Sequence, residues 1–199
     1  MRRMRPLKRA ELPHDTVKLA LFLIGKTIVR EIGKARLSGR IVETEAYLAD
    51  DAACHAFRGP TPRNRSLFLQ HGHAYVYFCY GAHFMLNVSS ELAGTGSGIL
   101  LRAIEPLEGI EYMQRSRGAK RIVELARGPG RLAAALRITE RLDGVDLCRR
   151  GKLWLGTAVR PAGPIGVSLR IGITKDAERP LRFYERGNPF VSGPKRLNK

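Results

Sequence analysis

Within the 199 residues, the stretch Ile41-Val42-Glu43-Thr44-Glu45-Ala46-Tyr47-Leu48 concentrates the groups best suited to chemistry. Its alternation is that of a β-strand, in which every second side chain shares a face. Val42, Thr44, Ala46 and Leu48 then form one mostly apolar face, and Ile41, Glu43, Glu45 and Tyr47 the other. A solvated strand face gives the same alternation. An aromatic ring beside a carboxylate has a second use: the ring stacks a flat ligand while the carboxylate activates a water beside it. A carboxylate pair of the glycosidase kind fits poorly. Residues i and i+2 of one strand point the same way and do not flank a substrate from opposite sides.

A second cluster is Ala74-Tyr75-Val76-Tyr77-Phe78-Cys79-Tyr80-Gly81. Tyr75, Tyr77 and Cys79 share one face, and Val76 and Phe78 the other, which reads as core. Tyr80 adjoins Gly81 and stands at the tip of a hairpin, where an aromatic side chain can wedge between base pairs. Aromatics are also ordinary strand residues. Arg58 and Pro62-Arg63-Asn64-Arg65 make a basic, turn-rich loop suited to phosphate contact or simply to solvent. Gly128-Pro129-Gly130-Arg131 sets a cation beside a helix start, another phosphate-binding pattern. His71, His73 and His83 could approach one another, but no acidic or cysteine partner is spaced to complete a metal site, so none is expected.

The charge balance supports a polyanionic partner. Lys and Arg total 35 against 18 Asp and Glu, a net charge of +17, which favours nucleic acid first and an acidic membrane second. Cys54, Cys79 and Cys148 are odd in number, widely spaced and without a C-x-x-C, which points to a reducing, intracellular setting. The longest apolar run, Leu19 to Ile24, is too short to span a membrane, and no signal-peptide pattern is present.

These residues need a scaffold. The first ten, MRRMRPLKRA, carry five positive charges and read as a flexible basic arm, with one domain over 11–199. Asp15 caps a helix running to Ile24. Strands are expected over Thr27 to Ile32, Leu37 to Leu48, His73 to Tyr80, Phe84 to Ser90, Ile99 to Ile104, Lys152 to Leu155, Val167 to Ile173 and Leu181 to Tyr184. Helices are expected from Pro106 to Arg117, from Ala119 to Arg127 and from Arg131 to Arg137. Strands and helices mix without regular alternation. The expectation is an α+β domain: a curved, largely antiparallel sheet flanked by helices, with a protruding β-hairpin rather than a helix-hairpin-helix.

Seven segments carry a resemblance: Val42 to Leu48, Ala53-Cys54-His55, Thr61 to Asn64, Tyr75 to Gly81, Asn87 to Ser90, Leu100 to Gly109 and Pro180 to Tyr184. In this order they resemble the alkyladenine (3-methyladenine) DNA glycosylase family, over nearly the whole chain from about Glu11 to Ser192. The resemblance implies a monofunctional, cofactor-free enzyme that flips a damaged purine out of duplex DNA and hydrolyses its N-glycosidic bond. It implies that Glu45 is the general base and that Arg102 helps hold the water and the flipped nucleotide. Tyr47, Tyr77 and His55 would enclose the base, Asn87 would stand at the pocket floor, and Tyr80 would fill the gap in the helix. The basic positions Arg63, Arg65 and Arg131 would meet the DNA backbone. The Tyr47–His55 loop is shorter than the family pattern, and Cys54 stands where a small residue is common. The implied partner is double-stranded DNA, bound by a monomer with no membrane role. The rival reading is a non-catalytic damaged-DNA-binding module, for which Glu45 would be dispensable.

Overall fold

A computed structural model describes residues 4–79, 81–194, 196 and 198. The first helix, α1 (Thr16–Leu23), begins where the Asp15 carboxylate accepts the Lys18 N–H at 2.7 Å, satisfying a free donor of the first turn. Leu19, Ala20 and Leu23 are its buried stripe. There follow β1 (Thr27–Ile32), β2 (Ala35–Tyr47), β3 (Ala74–Cys79), β4 (His83–Ser89) and β5 (Gly98–Glu108). After these come α2 (Ile110–Arg117), α3 (Pro129–Ala135), β6 (Leu153–Gly156), β7 (Ile165–Ser168) and β8 (Arg182–Glu185).

The strands form one curled sheet in the order β3-β4-β5-β2-β1-β6. β8 pairs with both β2 and β7 off that path, and every strand pair is antiparallel. The architecture is α+β, as expected. β2 is its organiser. It pairs with β5 along one side, and on the other side with β1 through its first half and with β8 at Glu43–Glu45. Its burial is continuous from Leu37 to Ala46, so the solvated-face reading of Glu43 and Glu45 is excluded. The register with β5 shifts between Ile41/Glu43 and Glu43/Thr44. This bulge changes the expected faces: Ile41 packs in the main core with Ala46, and Val42 packs with Ala103, Tyr184 and Val191. An extra residue opposed to a single partner reverses the alternation beyond it.

Two helix expectations fail for identifiable reasons. Pro106 does not open a helix; β5 runs through it to Glu108. It lies opposite Gly39, at another register shift, where a missing N–H is tolerated. The helix waits for Gly109, whose φ of 72° turns the chain into α2. The expected helix from Ala119 to Arg127 is only a 3₁₀ turn at Ile122–Glu124. Beyond it the chain pairs with the sheet instead, through an Arg127–Ala103 bridge and an Ile104 N–H donated to the Ala126 carbonyl. Phe78 is not core: it is half exposed on the hairpin and packs on Phe84 at 5.0 Å between ring centroids. Part of the basic arm is docked rather than loose. Leu7 is buried and donates its N–H to the Leu155 carbonyl, and Arg5 pairs with Glu11.

A β-carbon at position 109 would lie 2.7 Å from the Arg36 carbonyl, in a left-handed backbone that L residues avoid. Gly109→Ala is therefore expected to cost about 1–3 kcal/mol, read as a lower midpoint in urea unfolding. An unchanged midpoint would refute this account of the strand-to-helix junction.

Candidate active site

Glu43 and Glu45 leave β2 toward the same interior, and both are fully buried. Glu43 accepts from Arg102 Nε at 2.8 Å, Arg182 Nε at 2.7 Å, the Ser192 N–H at 2.6 Å and the Ser192 hydroxyl at 3.0 Å. Glu45 accepts from the Ile171 N–H at 2.8 Å, the Tyr47 hydroxyl at 3.0 Å and Arg102 Nη1 at 3.1 Å. The guanidinium of Arg102, on β5, thus bridges the two carboxylates.

The surroundings drive the two acids apart. Burial pushes Glu43 up, but Arg102 and Arg182 more than offset it, and its pKa ends below the usual carboxylate range. Burial dominates for Glu45 and raises its pKa against the opposing pull of Arg102, the Ile171 N–H and Tyr47. Repulsion from Glu43 is the smallest of these influences. Two carboxylates with divergent proton affinities suit two roles: Glu43 a permanent counter-ion, Glu45 a proton acceptor. The Tyr47 hydroxyl, buried beside Glu45, is held strongly in its neutral form.

All three donors to Glu45 belong to residues that line one cavity of about 290 Å³. That is the small end of the roughly 300–1,000 Å³ of ligand pockets, suited to one flat base. Tyr47, His55, Tyr77, Asn87 and Arg102, all singled out in the sequence, line it together. Tyr75 stacks on Tyr77 at 5.3 Å and 28°, and its hydroxyl holds His55 Nδ1 at 2.9 Å. His55 meets Tyr77 edge-on at 4.4 Å, and its carbonyl accepts from Asn64 Nδ2. Asn87 is held by a bond from its Nδ2 to the Tyr75 carbonyl. Arg63 reaches the Phe78 carbonyl on the hairpin at 3.1 Å, and Arg65 and Arg131 are exposed. Tyr80 lies outside the described residues. His71 and His73 turn to the backbone carbonyls of Arg9 and Gln70.

Residues the sequence did not single out complete the site. The Ile171 N–H could not be foreseen, because a backbone donor leaves no side-chain signature. Ser192 lies 149 positions from Glu43. Arg182 lay within a quoted motif, Pro180 to Tyr184, but only the fold brings it to Glu43.

A buried carboxylate at the wall of an aromatic-lined cavity suits a site that holds a flat ligand beside an acid–base group. The comparisons give the class its particular form: the pattern of the methylpurine-DNA glycosylase family matches residues 10–189, and the chain belongs to that family. Its members hydrolyse N-glycosyl bonds. The chain is 63% identical over 194 residues to a protein of Mesorhizobium japonicum, covering 98% of this chain and 93% of the relative. It is 51% identical over 192 residues to one of Paraburkholderia phytofirmans, covering 96% and 90%. With one of Methanocella arvoryzae it shares 45% over 193 residues, covering 91% and 95%. Each of the three bears the name "Putative 3-methyladenine DNA glycosylase".

The raised pKa of Glu45 has a consequence for stability. The folded state holds this proton more tightly than the unfolded chain, so stability is lost as pH rises from the ordinary carboxylate range near 4 through the folded value. Glu45→Gln removes that loss. The melting temperature of the variant relative to wild type is expected to rise as the pH climbs above about 4. A difference that stays constant with pH would show that Glu45 is not destabilised by its burial.

Proposed function

We propose that the chain excises alkylated and deaminated purines from duplex DNA, of the 3-methyladenine, 7-methylguanine, ethenoadenine and hypoxanthine class, by a water that Glu45 activates. The observation that carries the reading is that Tyr47, Arg102 and Ile171 both donate to Glu45 and line the aromatic cavity. A carboxylate offers about four lone-pair sites. Three of those on Glu45 are engaged, and the fourth takes the proton of the attacking water. The water oxygen bonds to the anomeric carbon, and the N-glycosidic bond breaks with its electron pair leaving on the base. A cationic alkylpurine then departs neutral, and a neutral lesion needs a proton delivered to it. Arg102 positions the water and the nucleotide. Among the described residues the hydrogen-bond partners of Glu45 are Tyr47, Arg102 and Ile171, and the proposed step is hydrolysis without a Schiff base.

The target base enters the cavity by leaving the stack, which costs a few kcal/mol and least for a damaged, poorly paired base. Stacking between Tyr47 on one side and Tyr77 with His55 on the other returns about 1–3 kcal/mol. Asn87 tests the purine edge, and Tyr80 fills the vacated space in the duplex. Arg63, Arg65 and Arg131 meet the phosphates, to which the net charge of +17 draws the protein.

Single-turnover base release from a duplex carrying ethenoadenine or hypoxanthine tests this. Glu45→Gln is expected to lose about 10²–10⁴-fold in rate, the usual worth of a general base, while retaining lesion binding. The wild-type rate should fall on the acid side through a pKa above the ordinary glutamate range. Release by the variant at the wild-type rate would remove Glu45 from the mechanism. No release by wild type on any lesion, with DNA binding intact, would leave recognition alone. A fluorescent flipped-base reporter should lose signal in Tyr80→Ala; an unchanged signal would exclude the wedge.

A further inference from the structure

Arg170 takes no part in the chemistry proposed above, yet its buried guanidinium touches the cavity-lining Tyr47 and three further residues, Ala46, Asp51 and Asp176, in segments that adjoin the wall. It forks onto the Asp51 carboxylate, in an ion pair whose two side chains are fully buried. It also donates to the Ala46 carbonyl at 3.1 Å and to the Asp176 carbonyl at 3.0 Å. Its Cζ lies 4.7 Å from the centroid of the Tyr47 ring, a stacked cation–π contact. Each contact leads into the cavity. Asp51 accepts the Ala53 N–H, and the Asp176 carboxylate accepts the Ala52 N–H, so this pair fixes the turn that carries Ala53, Cys54 and His55. The next residue after Arg170 is Ile171, whose N–H donates to Glu45.

We infer that Arg170 is a positioning residue: with Asp51 it holds the Ile171 N–H on Glu45 and the Tyr47 ring at the cavity wall, and so sets both the basicity of Glu45 and the fit of the base. The inference rests on the function proposed above for its catalytic part only. A planar fork makes it possible, because one guanidinium serves a carboxylate, two carbonyls and an aromatic face at once; an ammonium cannot. Glu45 is faced by Glu43 and Tyr47 from its own strand, by Arg102 from β5 and by the Ile171 N–H. Arg182 of β8 donates to Glu43 beside it. Of these, two depend on Arg170: the Ile171 N–H, from the next residue, and the Tyr47 hydroxyl, whose ring Arg170 stacks on. Loosening either one weakens a hydrogen bond to the charged carboxylate and makes Glu45 harder to ionise.

Carboxyl ¹³C NMR titration of Glu45 in the full chain, assigned with Glu45→Gln, reads this directly and needs no catalysis. In Arg170→Lys, which keeps the charge, the Glu45 titration is expected to move up by about 0.5 pH unit or more. The acid limb of single-turnover base release should move with it, and the rate at pH 7 should fall about tenfold or more with the rate-saturating pH shifted upward. Asp51→Asn, which keeps the size and one acceptor, should move both in the same direction by less, and it carries the test should Arg170→Lys not fold. A Glu45 titration unchanged in the folded variants overturns the inference, whatever the enzyme excises. Wild-type protein that releases no base overturns the proposed function, and the NMR titration still decides the role of Arg170.

Discussion

The constraint on which the rest of the molecule depends is the burial of two carboxylates on one strand. An ion out of water is costly unless paired and hydrogen-bonded. The chain meets that demand with guanidinium groups from two other strands, Arg102 of β5 and Arg182 of β8, and with the backbone of Ile171 and Ser192. This arrangement requires β2 to be flanked by β5 on one side and β8 on the other at the level of Glu43 to Glu45. Alternation points Glu43 and Glu45 into the same interior, and the bulge at Val42 keeps Ile41 on the main-core side instead. Sheet topology, bulge and side-chain network are one solution to one electrostatic problem.

The solution is deliberately uneven. Glu43 receives more donors than it needs to stay charged, and Glu45 receives too few to overcome its desolvation. A uniformly satisfied pair would be more stable and chemically idle. The cavity is held from behind: Tyr75 bonds His55 and Asn87, and Asn64 bonds the His55 carbonyl, while Tyr47 and Tyr77 both stand on its lining.

Sequence reasoning reached a good part of this and stopped at definable places. Strand periodicity located β2, and residue type within it marked Glu45 and Tyr47. The Asp15 cap and the Gly-Pro break before α3 were legible because capping and turn chemistry are local. Pro106 misled, since a proline excluded from most strands is accepted opposite a bulge that the sequence does not announce. The segment after Gly118 misled because its apolar residues, Leu125 and Ala126, pack by pairing with β5 and not by coiling. Phe78 misled because period two assigns a face but not the depth of that face. Two further donors to the carboxylates were out of reach for another reason: Ser192 and Ile171 act through backbone N–H groups set far away in the chain.

Those separations bear on how the protein is made. Glu43 and Glu45 leave the ribosome early, but their partners stand at positions 102, 171, 182 and 192. During synthesis the two acids must wait in water, unpaired and unburied, until almost the whole chain has emerged. Contacts so distant in sequence close late and slowly. The long sheet strand that will carry them has no neighbour on its β8 side for most of that time. A nascent chain therefore has neither the desolvated carboxylate nor the cavity. The buried carboxylate network is complete only when the last strand and the segment after it close over the charges.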